Sequence, residues 1–435
     1  MKLTVESVKV RDIQFADETR LDDGVMYVNK GDILKLLENE PYIDDVKIDI
    51  ARPGDRTRII NVVDVLEPRC KVSGGIDWPG VLSDDYEIAG KGVSRTVQGM
   101  GIVLTQNNCY WSKYWGAIDM FGPYSDCSPY PNIPELVLEP IAPNADFRQY
   151  REAVRRIAFA AGVLIARATL AHPAESVEVF DNSTRDPALP NVAYSYQIYS
   201  KQYDTENYRE PMFYGNAVPD TLPLVVQPTE ILDGAIASCG GHRTMITYEV
   251  TNHPIITELF RRHGKDLNFV GVIITVTAVE SQRRHLAAKM AANIMKEEFH
   301  ADGMIVTKGH GGASTICVGV IAAECEKLGI KAVPVIQVLN AQSNLATECL
   351  FDDPEVDSIV QTGCYFYEYD LPAVDTVLGG AFDAPYITNT TSVGGVDIIP
   401  DTPITPANGP IPTVSYKQVG ITSQIGGGFM KAVDY

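Results

Sequence analysis

The sequence predicts an α/β fold, with a C-terminal layered sheet of mostly parallel strands and flanking helices, and a β-rich N-terminal domain. Three observations predict it. Phe269-Val270-Gly271-Val272-Ile273-Ile274-Thr275 is a short, continuous, β-branched apolar run, the pattern of a parallel strand buried on both faces. Runs of this kind alternate with helical stretches from Val192 onward, which implies crossover connections in a layered sheet. Residues 1–72 instead hold strand-length apolar runs separated by turns.

Taken in order, Leu3 to Phe15, Val25 to Val28, Val46 to Ile50 and Ile59 to Val65 read as strands, and Asp32 to Leu37 as a short amphipathic helix. Ala51-Arg52-Pro53-Gly54-Asp55 is a turn whose geometry Pro and Gly set. Residues 73–142, rich in Gly, Pro and aromatics, are expected to form short strands and long loops. The aromatic cluster from Cys109 to Trp115, with Phe121, Tyr124 and Tyr130, reads as packing in a loop-rich core or at a subunit interface. Over 147–170, Tyr150, Val154, Ile157, Ala161, Leu164, Ile165 and Ala168 recur at helical spacing, and Arg148, Arg151, Arg155 and Arg156 give a solvated face or an interdomain contact. Pro173 and the polar stretch Asp181 to Pro190 mark a linker.

Beyond it, Asn191 to Tyr199 and Leu222 to Val226 are strand candidates. His285 to Phe299 is a helix burying Leu286, Met290, Ile294 and Phe299. Gly303 to Thr307 is a strand, Thr315 to Leu328 a helix, and Lys331 to Leu339 a strand. Val356 to Thr362 and Val374 to Leu378 continue the pattern. After about residue 380 an extended, Gly-, Pro- and Thr-rich tail is expected. The expected divisions are thus 1–145 (β-rich), 146–190 (helix and linker), 191–380 (α/β) and 381–435 (tail).

The formal net charge of −20 disfavours nucleic acid and anionic membrane, because each phosphate contact calls for a compensating Lys or Arg. Eight scattered Cys with no CxxC pair, and no His or Cys cluster at zinc spacing, predict no metal site. The first residues alternate like a strand, unlike a signal peptide, and no apolar run approaches the roughly 18 residues of a membrane span. The expectation is a cytoplasmic protein with reduced thiols.

Two stretches carry candidate chemistry. In Asp233-Gly234-Ala235-Ile236-Ala237-Ser238-Cys239-Gly240-Gly241-His242-Arg243, a lone Cys between a hydroxyl residue and two glycines is either a tight turn or a reactive thiol. His242 is the nearest base, or else a polar turn residue, and Arg243 either binds a substrate carboxylate or is solvated. In Lys308-Gly309-His310-Gly311-Gly312-Ala313-Ser314-Thr315, a glycine-rich turn leads from a strand into a helix at the carboxyl end of a parallel strand. Lys308 and His310 there are substrate-binding candidates, with an ordinary strand–helix turn as the alternative. His172, His253 and His263 are read as structural or solvent residues, and Cys317 and Cys325 as buried thiols.

Several stretches together resemble one family. They are Gly24-Val25-Met26-Tyr27-Val28-Asn29-Lys30, Ala51-Arg52-Pro53-Gly54, Ile118-Asp119-Met120 with Gly122-Pro123, Pro228-Thr229-Glu230-Ile231-Leu232-Asp233-Gly234-Ala235-Ile236, Asn268 to Thr275, and Asp302-Gly303-Met304-Ile305-Val306. In this order they resemble the pyruvoyl-precursor (alpha) subunit of component B in clostridial glycine/sarcosine/betaine reductase complexes, a family related to the D-proline reductase proprotein. The resemblance implies self-cleavage before a cysteine shortly after the Asp-Gly-Ala-Ile stretch, that cysteine becoming a pyruvoyl group. Cys239 is the only Cys within 75 residues on either side. The family's bond is Asn-Cys in a slightly longer segment, whereas here it is Ser238-Cys239.

The resemblance further implies covalent capture of an amine substrate such as glycine or sarcosine, for reductive C–N cleavage in a hetero-oligomer. A selenocysteine-containing component B subunit and further components of the complex would be its partners. In that chemistry Gly240 and Gly241 would relieve crowding at the attacked peptide, His242 would act as base, and Ser238 and Arg243 would donate hydrogen bonds. The rival expectations are an uncleaved homologue serving as a binding or scaffold subunit, and a pyruvoyl amino-acid decarboxylase.

Overall fold

The computed structural model describes residues 1–83, 85, 87–106, 116–142, 147–198, 212–217, 221–237, 246–309, 312–338, 351, 353–364, 368–379, 392–393, 396–397, 408–415, 418–421 and 425. The aromatic run from Cys109 to Trp115 lies outside them.

The first half is built on two sheets and one long helix. Strands Ser176–Asp181, Lys2–Lys9, Gly92–Gln98 and Arg69–Ser73 form one sheet in that order. Strands Gly116–Asp119, Thr57–Leu66, Gly101–Thr105, Glu135–Ile141 and Asp45–Ala51 form the other. The helix Phe147–Arg167 packs on both, and its apolar stripe supplies Val154, Ile157 and Ala161 to their common core. Edge-to-face packing of Trp78 on Phe159, 4.4 Å between ring centroids, closes that core near Arg69.

The basic side of this helix departs from expectation. Arg155 is buried, near enough to Asp64 for their charges to attract, and Arg156 pairs with Glu40 at 2.5 and 2.7 Å. The stretch before the expected linker also departs: Ser176–Asp181 pairs antiparallel with Lys2–Lys9. Its residues are mostly exposed on this edge, which is why no apolar pattern marks it.

The second half is the layered sheet. In space its strands run Leu224–Val226, Asn268–Val276, Asn191–Ile198, Gly303–Thr307, Lys331–Val338 and Val360–Cys364. The first is antiparallel to its neighbour and the remaining contacts are parallel. Counted along the chain, the five parallel strands stand in the order 2-1-3-4-5. Their topological switch point therefore falls between Asn191–Ile198 and Gly303–Thr307, and ligands of such sheets bind beyond the carboxyl ends there. All nine residues of Asn268–Val276 are buried, as its continuous apolar run requires.

The helices Ser281–Asn293 and Ala313–Lys327 cover one face. The first buries Ala288, Ala291 and Ala292 and continues into a wider turn over Ile294–Glu298, while Leu286 is 52% exposed and not buried as expected. The buried stripe runs through Ala288, Ala291, Ala292, Met295 and Phe299, and Leu286 falls off it. Cys317 and Cys325 are buried on the second helix.

A further departure is Thr376–Leu378, which does not continue the parallel sheet. It pairs with Thr57–Leu66 in the first half, and Ile411–Val414 pairs with Glu368–Leu371. Among the described residues no helix is long and apolar enough to cross a membrane.

Candidate active site

Residues 238–245, which hold Ser238, Cys239, Gly240, Gly241, His242 and Arg243, lie outside the described residues, as does His310. The chain on both sides of 238–245 is described, and each side is held by residues of the first half.

The upstream arm begins with Pro228 at the first position of the short helix Pro228–Leu232, where its missing N–H costs nothing. Glu230 closes a capping box, accepting from the Gln227 N–H at 2.7 Å, while its other oxygen accepts from the Tyr214 hydroxyl at 2.6 Å. Asp233 then turns inward. Its carboxylate accepts from Lys71 Nζ, Ser94 Oγ and the Gly90 N–H, and the Lys71 and Asp233 side chains are 6% and 5% exposed. Arg69 donates to the Leu232 carbonyl.

Gly234 has φ +92°, and a Cβ there would lie 2.7 Å from the Trp78 ring, so only glycine lets the backbone rest on the indole. Arg69, Cys70, Lys71, Asp77, Trp78, Ser94 and Asp233 line a shallow cleft at this point, with room for no more than about one water. Tyr214 N–H donates to the Ala235 carbonyl, and Ile236–Ala237 pairs with Met212–Phe213. The chain thus enters the candidate site rigidly held.

The downstream arm begins at buried Ile246 and the short helix Thr247–Thr251. Asp64, wholly buried on the Thr57–Leu66 strand, accepts from the Thr247 N–H at 2.8 Å and from the Thr247 hydroxyl. Burial pushes the Asp64 carboxyl up to about 7, against the pull of these donors. The helix also packs on Ile236–Ala237. Both arms are therefore tied to one stretch of the first half, Asp64 to Lys71.

Past the helix, His253 is fully buried rather than solvated at its turn. Its Nε2 lies 3.1 Å from the Tyr194 hydroxyl, which is 2.6 Å from Thr307 Oγ1. Burial lowers His253 to about 3, so the imidazole is neutral. Tyr194 and Thr307 belong to the two strands that flank the switch point, so the downstream arm leads onto that edge of the sheet.

Lys308 stands at the same edge, 2% exposed. It donates to the Gln337 carbonyl at 2.7 Å and to Thr315 Oγ1 at 3.3 Å, while the Gly309 N–H donates to Gln197 at 3.2 Å. Among the described residues, no group of three His, Cys, Asp or Glu side chains could hold a metal ion.

Asp64 is the member of this arrangement that sequence reasoning did not name. Asp233 opened the quoted Asp233–Arg243 stretch with no role given to it, and His253 was read as a structural or solvent residue. Asp64 carried no signal, since an Asp inside an apolar strand run reads as an outward-facing position.

Comparison with known proteins supplies the remaining finding. The family model for glycine/sarcosine/betaine reductase component B subunits matches residues 1–404. The chain is 31% identical to the glycine reductase complex component B subunits alpha and beta of Peptoclostridium acidaminophilum, covering 100% of both chains. It is 31% identical to the protein of the same name from Acetoanaerobium sticklandii, over 87% of this chain and 89% of that one. It is 29% identical to the sarcosine reductase complex component B subunit alpha of Peptoclostridium acidaminophilum, again over 87% and 89%. No solved structure matches. With the match running through both arms of the candidate site, this chain belongs to the family of glycine/sarcosine/betaine reductase component B subunits.

Proposed function

We propose that this protein is a subunit of a glycine-reductase-like complex that is cut before Cys239, leaving a pyruvoyl group that takes an amine substrate for reductive C–N cleavage. The observation that carries the reading is the pair of arms: the chain is anchored by buried Asp233 immediately before residues 238–245 and by Thr247 on buried Asp64 immediately after. Anchoring both ends limits the conformations open to the peptide between them, which favours attack within that peptide. One relative's single chain bears the name of two subunits, alpha and beta, and aligns with this chain over its full length.

The proposed step is an attack by the Cys239 thiolate on the Ser238 carbonyl carbon, with the thiol proton passing to the departing amide nitrogen. The C–N bond breaks and a thioester forms. Loss of the Cys239 Cα proton then breaks the Cβ–S bond and releases residues 1–238 as a thiocarboxylate. Tautomerisation of the resulting enamine, then water in and ammonia out, leaves a ketone at the new terminus of 239–435. That group would supply an electrophilic carbonyl for an amine. Lys308, at the carboxyl edge of the sheet, is proposed to hold the substrate's carboxylate side, and a selenocysteine on a partner subunit is proposed as the nucleophile.

Intact-mass analysis of the purified chain is expected to show two fragments, 1–238 and 239–435, the second gaining mass with an amine and borohydride. Cys239→Ala is expected to abolish the cut. A single uncut chain in the presence of its partner subunit would overturn the reading in favour of a scaffold subunit, and cutting that survives Cys239→Ala would move the site elsewhere.

A further inference from the structure

The C-terminal segment, described over 368–379, 408–415 and 418–421, docks on the first half largely through its backbone. Arg58 donates to the carbonyls of Pro372, at 2.8 Å, and Gly409, at 3.1 Å. Arg56 donates to the Ala373 carbonyl and Asn61 to the Gly379 carbonyl, both at 2.7 Å. Between them Thr376–Leu378 lies parallel to Thr57–Leu66. Further on, the Val419 carbonyl accepts from the Ser128 hydroxyl at 2.8 Å and from the Tyr124 hydroxyl, and the Val419 N–H donates to the Ala117 carbonyl at 3.0 Å. Bonds of this kind fix the path of a chain rather than reading its side chains.

Two glycines let the segment come this close. A Cβ at Gly379 would collide with the Ile60 carbonyl, and one at Gly420 would stand 2.6 Å from Ser128 Oγ and 2.6 Å from the Tyr130 ring. Gly420 therefore rests on the Tyr130 ring, which is fully buried. That ring in turn meets Tyr248 of the downstream arm edge to face, 5.7 Å between centroids. Leu371, Ile411 and Val419 of the segment also share one buried cluster with Tyr130 and with Ile246, where the arm begins.

The downstream arm needs such support. Thr247–Thr251 is a five-residue helix, too short to keep its shape alone, so its place is set by what packs on it. Asp64 takes its first N–H, Ile236–Ala237 lies against it, and Tyr130 stands against Tyr248. Of these three supports, Tyr130 is the one that the C-terminal segment presses into position.

We infer, resting on the cleavage reading above, that the docked C-terminal segment positions the downstream arm for the cut before Cys239. By seating Tyr130 against Tyr248 it fixes Ile246 and Thr247–Thr251, and so narrows the conformations of the peptide that is attacked. Gly379, Gly420 and Tyr130 act through the arm and are positioning residues. The arrangement also sets an order of events. The C-terminal segment is the last part of the chain to be made, so a chain stays uncut until it is complete and that segment has docked.

The test uses the full-length chain. Gly379→Ala and Gly420→Ala push the segment off the first half, and Arg56→Ala removes an exposed contact with it at Ala373 and Asp375. Hydrogen exchange read by mass spectrometry is expected to speed up over 247–251 about tenfold or more in both glycine variants and about two- to fivefold in Arg56→Ala, with the helix Ala313–Lys327 unchanged. The cut, followed by intact mass well below each variant's melting temperature, is expected to slow by similar factors. Tyr130→Phe keeps the ring and is expected to exchange and to be cut like the wild type. Should the glycine variants fail to fold, Arg56→Ala decides. Unchanged exchange over 247–251 in the folded variants overturns the inference, and so does cutting at the wild-type rate in variants whose arm exchanges faster. A wild-type chain that is never cut, although its arm loosens in the variants, sinks the cleavage reading and leaves the hold on the arm standing. A cut wild-type chain whose variants keep both arm and rate sinks this inference alone.

Discussion

Arg58 and Asp119 pair through two parallel hydrogen bonds of 2.7 and 2.8 Å on adjacent strands of the first half, with neither side chain exposed. Arg58 also donates to the carbonyls of Pro372 and Gly409, more than 300 residues away. Lys71 with Asp233, and Arg69 with Glu67, repeat this use of nearly buried charge. In the half that holds the parallel sheet, by contrast, each described ion pair has at least one exposed member, as in Arg262 with Asp266, Lys331 with Asp357 and Lys331 with Glu326. Its interior is apolar, and buried polar groups such as Thr277, Lys308, Ser314 and Gln337 gather at the carboxyl ends of the strands.

The difference separates two jobs. Buried ion pairs are costly to desolvate and add little stability over apolar contacts, but they fix geometry, because a lone partner is intolerable. The first half uses them to hold segments that arrive from far along the chain, including the upstream arm of the candidate site. The parallel sheet gains its stability from apolar burial and leaves one edge polar for ligands.

The largest expected effect comes from breaking a clamp. Asp233→Ala leaves Lys71 buried without its carboxylate and should lower stability to urea by about 3–5 kcal/mol. In the same preparations the cut before Cys239 should stop, read by intact mass. If Asp233→Ala is cut at the wild-type rate, the arms do not position the bond, and the contrast between the halves loses its functional meaning.

A second test sharpens the contrast through pH. Asp64 keeps its proton to about 7 in the fold but to about 3.8 when exposed, so the folded chain binds the extra proton between these values. Stability contributed by this group is present at the acid end, declines as pH rises from about 4 through 7, and is flat above. The decline should amount to roughly 2–4 kcal/mol, measured as the difference between wild type and Asp64→Asn in urea titrations at a series of pH values. A wild-type advantage that shrinks as pH falls would mean that the fold holds Asp64 as an ion, and a constant one that its acidity is ordinary.

The smallest effect is expected where no charge is involved. Gly271→Ala would place a Cβ 2.6 Å from the Phe299 ring inside the parallel sheet. Phe299 can shift on the end of its helix, so the expected loss is about 1–3 kcal/mol, with no change in cleavage. A loss of cleavage in this variant would show that the parallel sheet, too, positions the bond.

Much of the second half was legible because its signal is local. Phe269 to Thr275 lies within the observed Asn268–Val276, and Thr315 to Leu328 nearly coincides with Ala313–Lys327. Thr376–Leu378 has the same local pattern and yet joins the Thr57–Leu66 strand, since an apolar run carries no address for its partner. The candidate site divides in the same way. Cys239 stood out by its isolation and its neighbours, whereas Asp64 gave no sign of being buried.

The sequence by itself determined the element types, the apolar strands, the position of the lone cysteine and the family. Only the tertiary structure decided that Asp64 and Asp233 anchor the two arms on one short stretch, and that Arg58 reaches carbonyls more than 300 residues away. Apolar periodicity is written into neighbouring residues, but the environment of a carboxyl is set by elements packed on it from elsewhere in the chain.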